Sequence, residues 1–200
     1  MQIVHFPHPA LRWKSRPITE INNDLRAVVR RMFELMYENK GIGLAANQVG
    51  LPFRLFVINL TGDPAEADQE HVFLNPEIIR RKGHQEGEEG CLSLPKLYGD
   101  VRRADQILVE AYDLSGEMFE LTVDDLASRA IQHETDHLDG ILFPDRMTDL
   151  SRKELLGSIS EMETYFRRQQ ELGNVPSDDE LKARLQSLEQ KGIVASELLP

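Results

Sequence analysis

Two histidines four residues apart, with a glutamate directly after the first, form the run His133-Glu134-Thr135-Asp136-His137. On an α-helix, residues i and i+4 share a face, so both imidazoles can ligate one ion. Leu126, Ala130, His133 and His137 recur at helical spacing, which sets the histidines in line with an apolar stripe and turns them inward. Buried imidazoles without partners are costly. A shared metal is one way to satisfy them, and hydrogen bonds in an ordinary core are another. Glu134 falls beside the stripe, where it reaches a metal's water and not the metal.

A third ligand decides between these readings. One class of zinc peptidase continues the motif with Gly at +3 and a third His at +6, but here Gly140 is followed by Phe143 at the ligand position. Another class takes a glutamate from a later helix. Glu154, Glu161 and Glu163 are present, but they mostly lie off the face marked by Leu155, Ile159 and Phe166. Cys91, the one cysteine, sits between Gly90 and a Leu-Ser-Leu-Pro run that suits a bend. A thiolate with two imidazoles and an open position is a sound catalytic set for a divalent transition metal. A free cysteine is equally at home as a small buried hydrophobe, and spacing alone leaves both readings standing.

The elements that must position these residues are read from periodicity. Val4 to Ile18, with three prolines, reads as an irregular extended arm. Leu25, Val28, Val29, Met32, Leu35 and Met36 mark one face of a helix from Asn23 that ends near Gly41. Gly41 to Gln48 is a run of small residues that lets backbone approach a ligand, or simply a tight connection. Leu55 to Leu60 reads as a strand, and His71 to Asn75 and Ile78 to Arg81 as two short strands around Pro76. Gln85 to Gly90 reads as a polar approach to Cys91. Ile107, Val109 and Ala111, then Phe119, Leu121 and Val123, form a hairpin signature around Ser115-Gly116. The histidine helix is expected from near Asp124, and capping boxes at Ser151/Glu154 and Ser177/Glu180 open two further helices.

Two hundred residues suit one full domain with an appended tail. A formal net charge of −11 argues against broad binding to DNA or an anionic membrane, which needs a cationic surface. One cysteine excludes an internal disulfide. No apolar run is long enough to span a bilayer, and the first twelve residues lack a signal peptide's apolar core, so a cytoplasmic protein is expected.

Gly41 to Gln48, Glu89-Gly90-Cys91-Leu92-Ser93 and His133 to His137, complete and in order, resemble the three signature segments of the peptide deformylase family. Pro9 to Arg12 and Arg102-Arg103 are similar to the family as well, and the resemblance covers roughly residues 1–165. It implies an α+β fold, with antiparallel sheets packed around a central metal-binding helix, and a metal-dependent hydrolase that removes the N-formyl group from formyl-methionine at the N-termini of nascent chains. By position, Cys91, His133 and His137 would hold one divalent metal, Fe2+ in the family, though Zn2+, Ni2+ or Co2+ can occupy such a site. Glu134 would move the proton. Gln48 and the Leu92 N–H would stabilise the oxyanion, and backbone at Ile42 and Gly43 would hold the peptide as an added strand. Gly43, Leu126 and Ala130 would line the methionine pocket, the last two read from the helix face. Glu89 and Arg103 are placed to pair and hold the cysteine loop. A zinc metalloendopeptidase is the alternative, favoured by the pentapeptide alone.

Residues 1–170 are read as the catalytic domain and 171–200 as a helical extension. From Ser151 onward there are seven Lys/Arg against nine Asp/Glu, so the tail is no basic handle for the ribosome, although work near the ribosome fits the substrate. Its Leu181, Leu185 and Leu188 stripe suggests packing on this chain or on a second copy, with turnover of short peptides within a few-fold without it.

Overall fold

The computed structural model describes residues 1–199. The chain runs from an arm with a short 3-10 turn at Pro9–Arg12 into α1 (Asn23–Glu38). Asn22 caps that helix by accepting from the Leu25 N–H at 2.9 Å, and the apolar face from Leu25 to Met36 is buried, as its spacing requires. The strands β1 (Gly43–Ala45), β2 (Leu55–Ile58), β3 (His71–Lys82), β4 (Gln85–Cys91), β5 (Leu94–Arg103), β6 (Gln106–Tyr112) and β7 (Met118–Val123) follow. Among the described residues they form two antiparallel sheets, one of five strands in the order β1-β2-β3-β6-β7 and the separate β4-β5 hairpin. Phe56 and Phe73 stack with centroids 4.6 Å apart in the core of the larger sheet, and Phe119 meets Phe73 edge-on.

Between the two sheets lies α2 (Asp125–Leu138), which carries His133 to His137. Its buried residues run almost without a break from Ala130 to Leu138, so the helix is enclosed on most sides. The Cα partners Ile107↔Val123 to Tyr112↔Met118 form the expected β6–β7 hairpin.

Three expectations need correction. The two short strands around Pro76 are one strand, β3, whose pairing with β6 shifts register between Leu74 and Glu77. Asn75, at φ +51°, turns the backbone there, and Pro76, which has no N–H to donate, is accommodated at the irregularity. Gln85 to Gly90 is not a polar approach but the strand β4, paired with β5 over Gln85↔Arg103 to Gly90↔Tyr98. The helix α3 (Asp149–Glu171) opens not at Ser151 but at Thr148, whose hydroxyl accepts from the Ser151 N–H at 3.2 Å.

The helices α4 (Asp178–Lys191) and α5 (Ala195–Leu198) complete the chain. The Ser177/Glu180 box is formed in both directions. α4 lies against the Pro9–Arg12 turn with Leu181 and Leu185 buried, and Leu188 and Leu198 reach the core around α1. Trp13 Nε1 donates to Glu189 at 2.9 Å, and Arg16 pairs with the same carboxylate at 3.2 Å. The tail therefore packs on this chain's own arm.

Candidate active site

The cleft between β1 and the β4–β5 hairpin has a volume of about 700 Å³. Ile42, Gly43, Gln48, Cys91, Leu92, Leu126, Ala130, His133 and Glu134 all line it. Leu126 stands at the mouth, half exposed, where the apolar stripe of α2 runs out towards solvent. His137 lies below the wall and is almost wholly enclosed.

Ligand atoms of Cys91, His133 and His137 all fall within 4.8 Å of one another. The Cys91 Sγ is 3.3 Å from His137 Nε2, and the two imidazole rings meet edge-on with centroids 4.9 Å apart. His133 Nδ1 lies 2.9 Å from Glu89 Oε2, which leaves Nε2 directed to the shared point. A sulfur and two imidazole nitrogens facing an open cleft suit a divalent transition metal with a position left for a reactant. The charge around them fits a cation too. Burial works against a charged His133, yet hydrogen bonds to Cys91 and Glu89 and the nearby Glu134 raise it to about 10. Burial, with the neighbouring His133 charge, holds His137 well below its usual range.

Glu134 is buried, and its Oε2 has no partner among the described residues. A Cβ on Gly43 would stand 2.5 Å from its Oε1 and 3.2 Å from its Cγ, so a larger residue here would have to displace the Glu134 side chain. Burial pushes Glu134 up to about 7. Gln48 is oriented by the Ala45 N–H, which donates to its Oε1 at 2.8 Å. A backbone N–H can only donate, so the oxygen must face Ala45 and the NH2 must face Cys91, whose Sγ it reaches at 3.4 Å. One N–H of that amide is left for a ligand. Ile42 O accepts from the Asn59 N–H at 3.0 Å, so its own N–H is the backbone group free for a peptide.

Beneath the cleft, Arg103 bonds both oxygens of Glu89, at 2.8 and 2.9 Å, as the pairing of these residues anticipates. Sequence reasoning missed the rest of this network. Arg129 donates to Glu89 Oε1 at 2.7 Å and to the backbone of Val101 and Gly87, tying α2 to both strands of the hairpin. Asp136 receives Arg103 and, at 2.7 Å, Arg146. Arg129, His133 and Asp136 share one helical face at i, i+4 and i+7, a spacing that could have found them. Despite its burial, Glu89 is held far below the usual carboxylate range by Arg103 and His133.

A family model described as polypeptide deformylase matches residues 1–153. The chain is 44% identical over 178 residues to the peptide deformylase of Rhodopirellula baltica, covering 89% of this chain and 88% of that protein. It is 50% identical over 161 residues to that of Acidobacterium capsulatum, covering 80% and 94%. Among solved structures, it is similar to the Plasmodium falciparum peptide deformylase, with a TM-score of 0.81, 36% identity and coverage of 84% of this chain and 98% of that one. For the Thermus thermophilus enzyme the TM-score is 0.76, with 40% identity and coverage of 84% and 97%.

Proposed function

The chain belongs to the peptide deformylase family, and on that premise we propose how its cleft performs the reaction. Enzymes of this family remove the N-formyl group from nascent peptides, and this chain is such a hydrolase. Cys91, His133 and His137 would hold one divalent metal, Fe2+ by family resemblance, with Zn2+, Ni2+ and Co2+ also suited to the donor set. When bound, the ion supplies a Lewis acid and makes water a nucleophile near neutral pH.

The chain's own residues do the remainder. The Ile42 N–H and the Gly43 backbone, at the edge strand β1, take the formyl-methionyl peptide as an added strand. Gly43, Ala130 and Leu126 border the methionine side chain. Glu134 accepts the proton of the attacking water and returns it to the leaving amine, so that formate and a free N-terminus are released. The free N–H of Gln48 and the Leu92 N–H donate to the oxyanion that develops on the formyl group. The observation that carries this reading is the meeting, in one cleft, of the Cys/His/His set, a carboxylate with an unpartnered oxygen and an amide whose orientation is fixed by Ala45.

We assign catalysis to residues 1–170 and treat 171–200 as an extension. No helix among the described residues is long and apolar enough to cross a membrane. A cytoplasmic enzyme meeting nascent chains near the ribosome accords with the substrate. The test is formate release from a formyl-methionyl peptide by metal-loaded protein, set beside Cys91→Ala, which should lose both bound metal and turnover. Full metal occupancy in Cys91→Ala, or no formate from the loaded protein, rejects the assignment.

A further inference from the structure

The two oxyanion donors assigned above come from different sheets. Gln48 follows β1 of the larger sheet, and Leu92 lies in the turn between β4 and β5. Donors of this kind must stand about 2.7–3.1 Å from one oxygen, and a misplacement of about 1 Å costs on the order of a hundredfold in rate. The N-terminal arm spans the gap between them. The Val4 N–H donates to Gln48 O at 2.8 Å, and the Phe6 N–H donates to Ser93 O at 3.0 Å. Two residues of arm thus join the residue that carries one donor to the residue next to the other.

Just beyond this strut, residues 8–16 of the arm are fastened from two sides, and before it the Met1 amino group donates to Leu198 O at 2.8 Å. Asn47, fully buried beside Gln48, directs its whole side chain at the arm: Nδ2 donates to Ala10 O at 3.1 Å and to Trp13 O at 2.8 Å, and Oδ1 accepts from Ser15 Oγ at 2.8 Å. From the other side, Glu189 of α4 takes Trp13 and Arg16. The His8 ring meets Phe166 of α3 edge-on.

We propose that α4 and the arm act together as a positioning element for the reaction, with the extension holding the arm and the arm setting the spacing of the Gln48 and Leu92 donors. The proposal rests on the reading of those two residues as oxyanion donors. It revises the expectation that turnover of short peptides stays within a few-fold without the extension. A helix docked only for stability would alter the melting temperature and leave kcat of the folded enzyme alone.

The test uses full-length, metal-loaded protein, well below its melting temperature, with a formyl-methionyl tripeptide. Leu185→Asp should undock α4. It is expected to lower kcat about tenfold with KM within about twofold, because the donors act mainly in the transition state. Amide exchange at Val4 and Phe6 should quicken while α1 and α2 keep their protection. Glu189→Ala should do the same to a smaller degree, about threefold in kcat. Glu189→Gln, which keeps an acceptor for Trp13, should recover most of it. If Leu185→Asp does not fold, the two Glu189 variants carry the test. Unchanged exchange at Val4 and Phe6 in Glu189→Ala overturns the proposal, and so does faster exchange with an unaltered kcat. Gln48→Ala, made in the same background, separates the two layers. An unaltered kcat there removes the donor reading itself, whereas a large loss beside a silent Glu189→Ala removes only the clasp.

Discussion

Beneath the cleft, α2 is joined to the β4–β5 hairpin by charge. Arg103, Glu89 and Asp136 are withdrawn from water and bonded to one another, with Arg129 and Arg146 closing the ends. Across the molecule, α4 is joined to the arm by Leu181 and Leu185, and its ion pairs lie at the rim, where Arg16 is 68% exposed. The first junction is expensive to build, since each withdrawn charge costs several kcal/mol unless every partner is in place. In return it is directional: a bidentate guanidinium and a hydrogen-bonded imidazole allow one geometry, and His133 inherits it through Glu89. The second junction is held mainly by apolar contact, which has no preferred angle, so its orientation falls to the bonds that Trp13 and Arg16 make to Glu189. Buried charge fixes the orientation at the first junction, and a single carboxylate beside a leucine stripe fixes it at the second.

That contrast can be broken most sharply within the cleft. Glu134→Gln preserves shape and removes proton transfer, so turnover should fall by about a thousandfold or more with metal content and melting temperature retained. Substantial residual turnover would show that the carboxylate is there for electrostatics alone. Next in size is Arg103→Met, which takes the central guanidinium from Glu89 and Asp136 and leaves them to Arg129 and Arg146. Urea unfolding should show a loss of about 3–5 kcal/mol, and a loss below about 1 kcal/mol would place this network with the rim pairs.

A pH effect belongs to the arm. Burial lowers His8 to about 4, against an opposing pull from Asp178 of α4. Phe166 of α3 meets the His8 ring edge-on, and the Arg167 guanidinium lies 5.7 Å from the Phe166 centroid. The neutral imidazole accepts from the Ala10 N–H at 3.1 Å, which a protonated ring could not do through that nitrogen. The folded pKa is depressed, so the unfolded chain takes up the proton first. The His8 contribution is therefore full above about 6.5, the usual value, and is lost as pH falls towards about 4. His8→Asn, which keeps an acceptor, should flatten stability against pH in that window, and an unchanged slope would assign it elsewhere. The smallest effect is expected from Arg167→Met, which breaks the half-exposed pair with Asp178. It should cost about 0–1 kcal/mol, and a loss near that of Arg103→Met would erase the distinction between charge buried beneath the cleft and charge at the rim.

The histidine helix was legible because its stripe is apolar at a period of 3.6, and the β6–β7 hairpin because Ile107, Val109 and Ala111 alternate with polar neighbours. β4 was not legible for the same physical reason that makes it useful. Its inward positions are Gly87 and Glu89, facing Arg129 and Arg103, so hydrophobic alternation never arises. Spacing left Cys91 open, and its grouping with His133 and His137 came from the family resemblance, whereas Asp136 and Arg146 stand in no motif that marks them. In the tail, Leu181, Leu185 and Leu188 announced a buried face. Its partner, an arm more than 160 residues earlier, follows from long-range packing that local periodicity does not encode.

Gly43 has a consequence for inhibition and resistance. A competitive inhibitor built as an extended peptide would lie along β1 and bond its backbone there. Resistance usually arises by enlarging a residue that the drug touches but the substrate can spare. At this position any larger side chain begins 2.5 Å from the Glu134 carboxylate and must push aside the group assigned to move the proton. A mutant that excluded the inhibitor at residue 43 would thereby disable itself. Compounds anchored to this stretch of backbone leave the enzyme little escape by substitution at that position, and selection should shift to the rim, where the exposed Tyr98 borders the cleft.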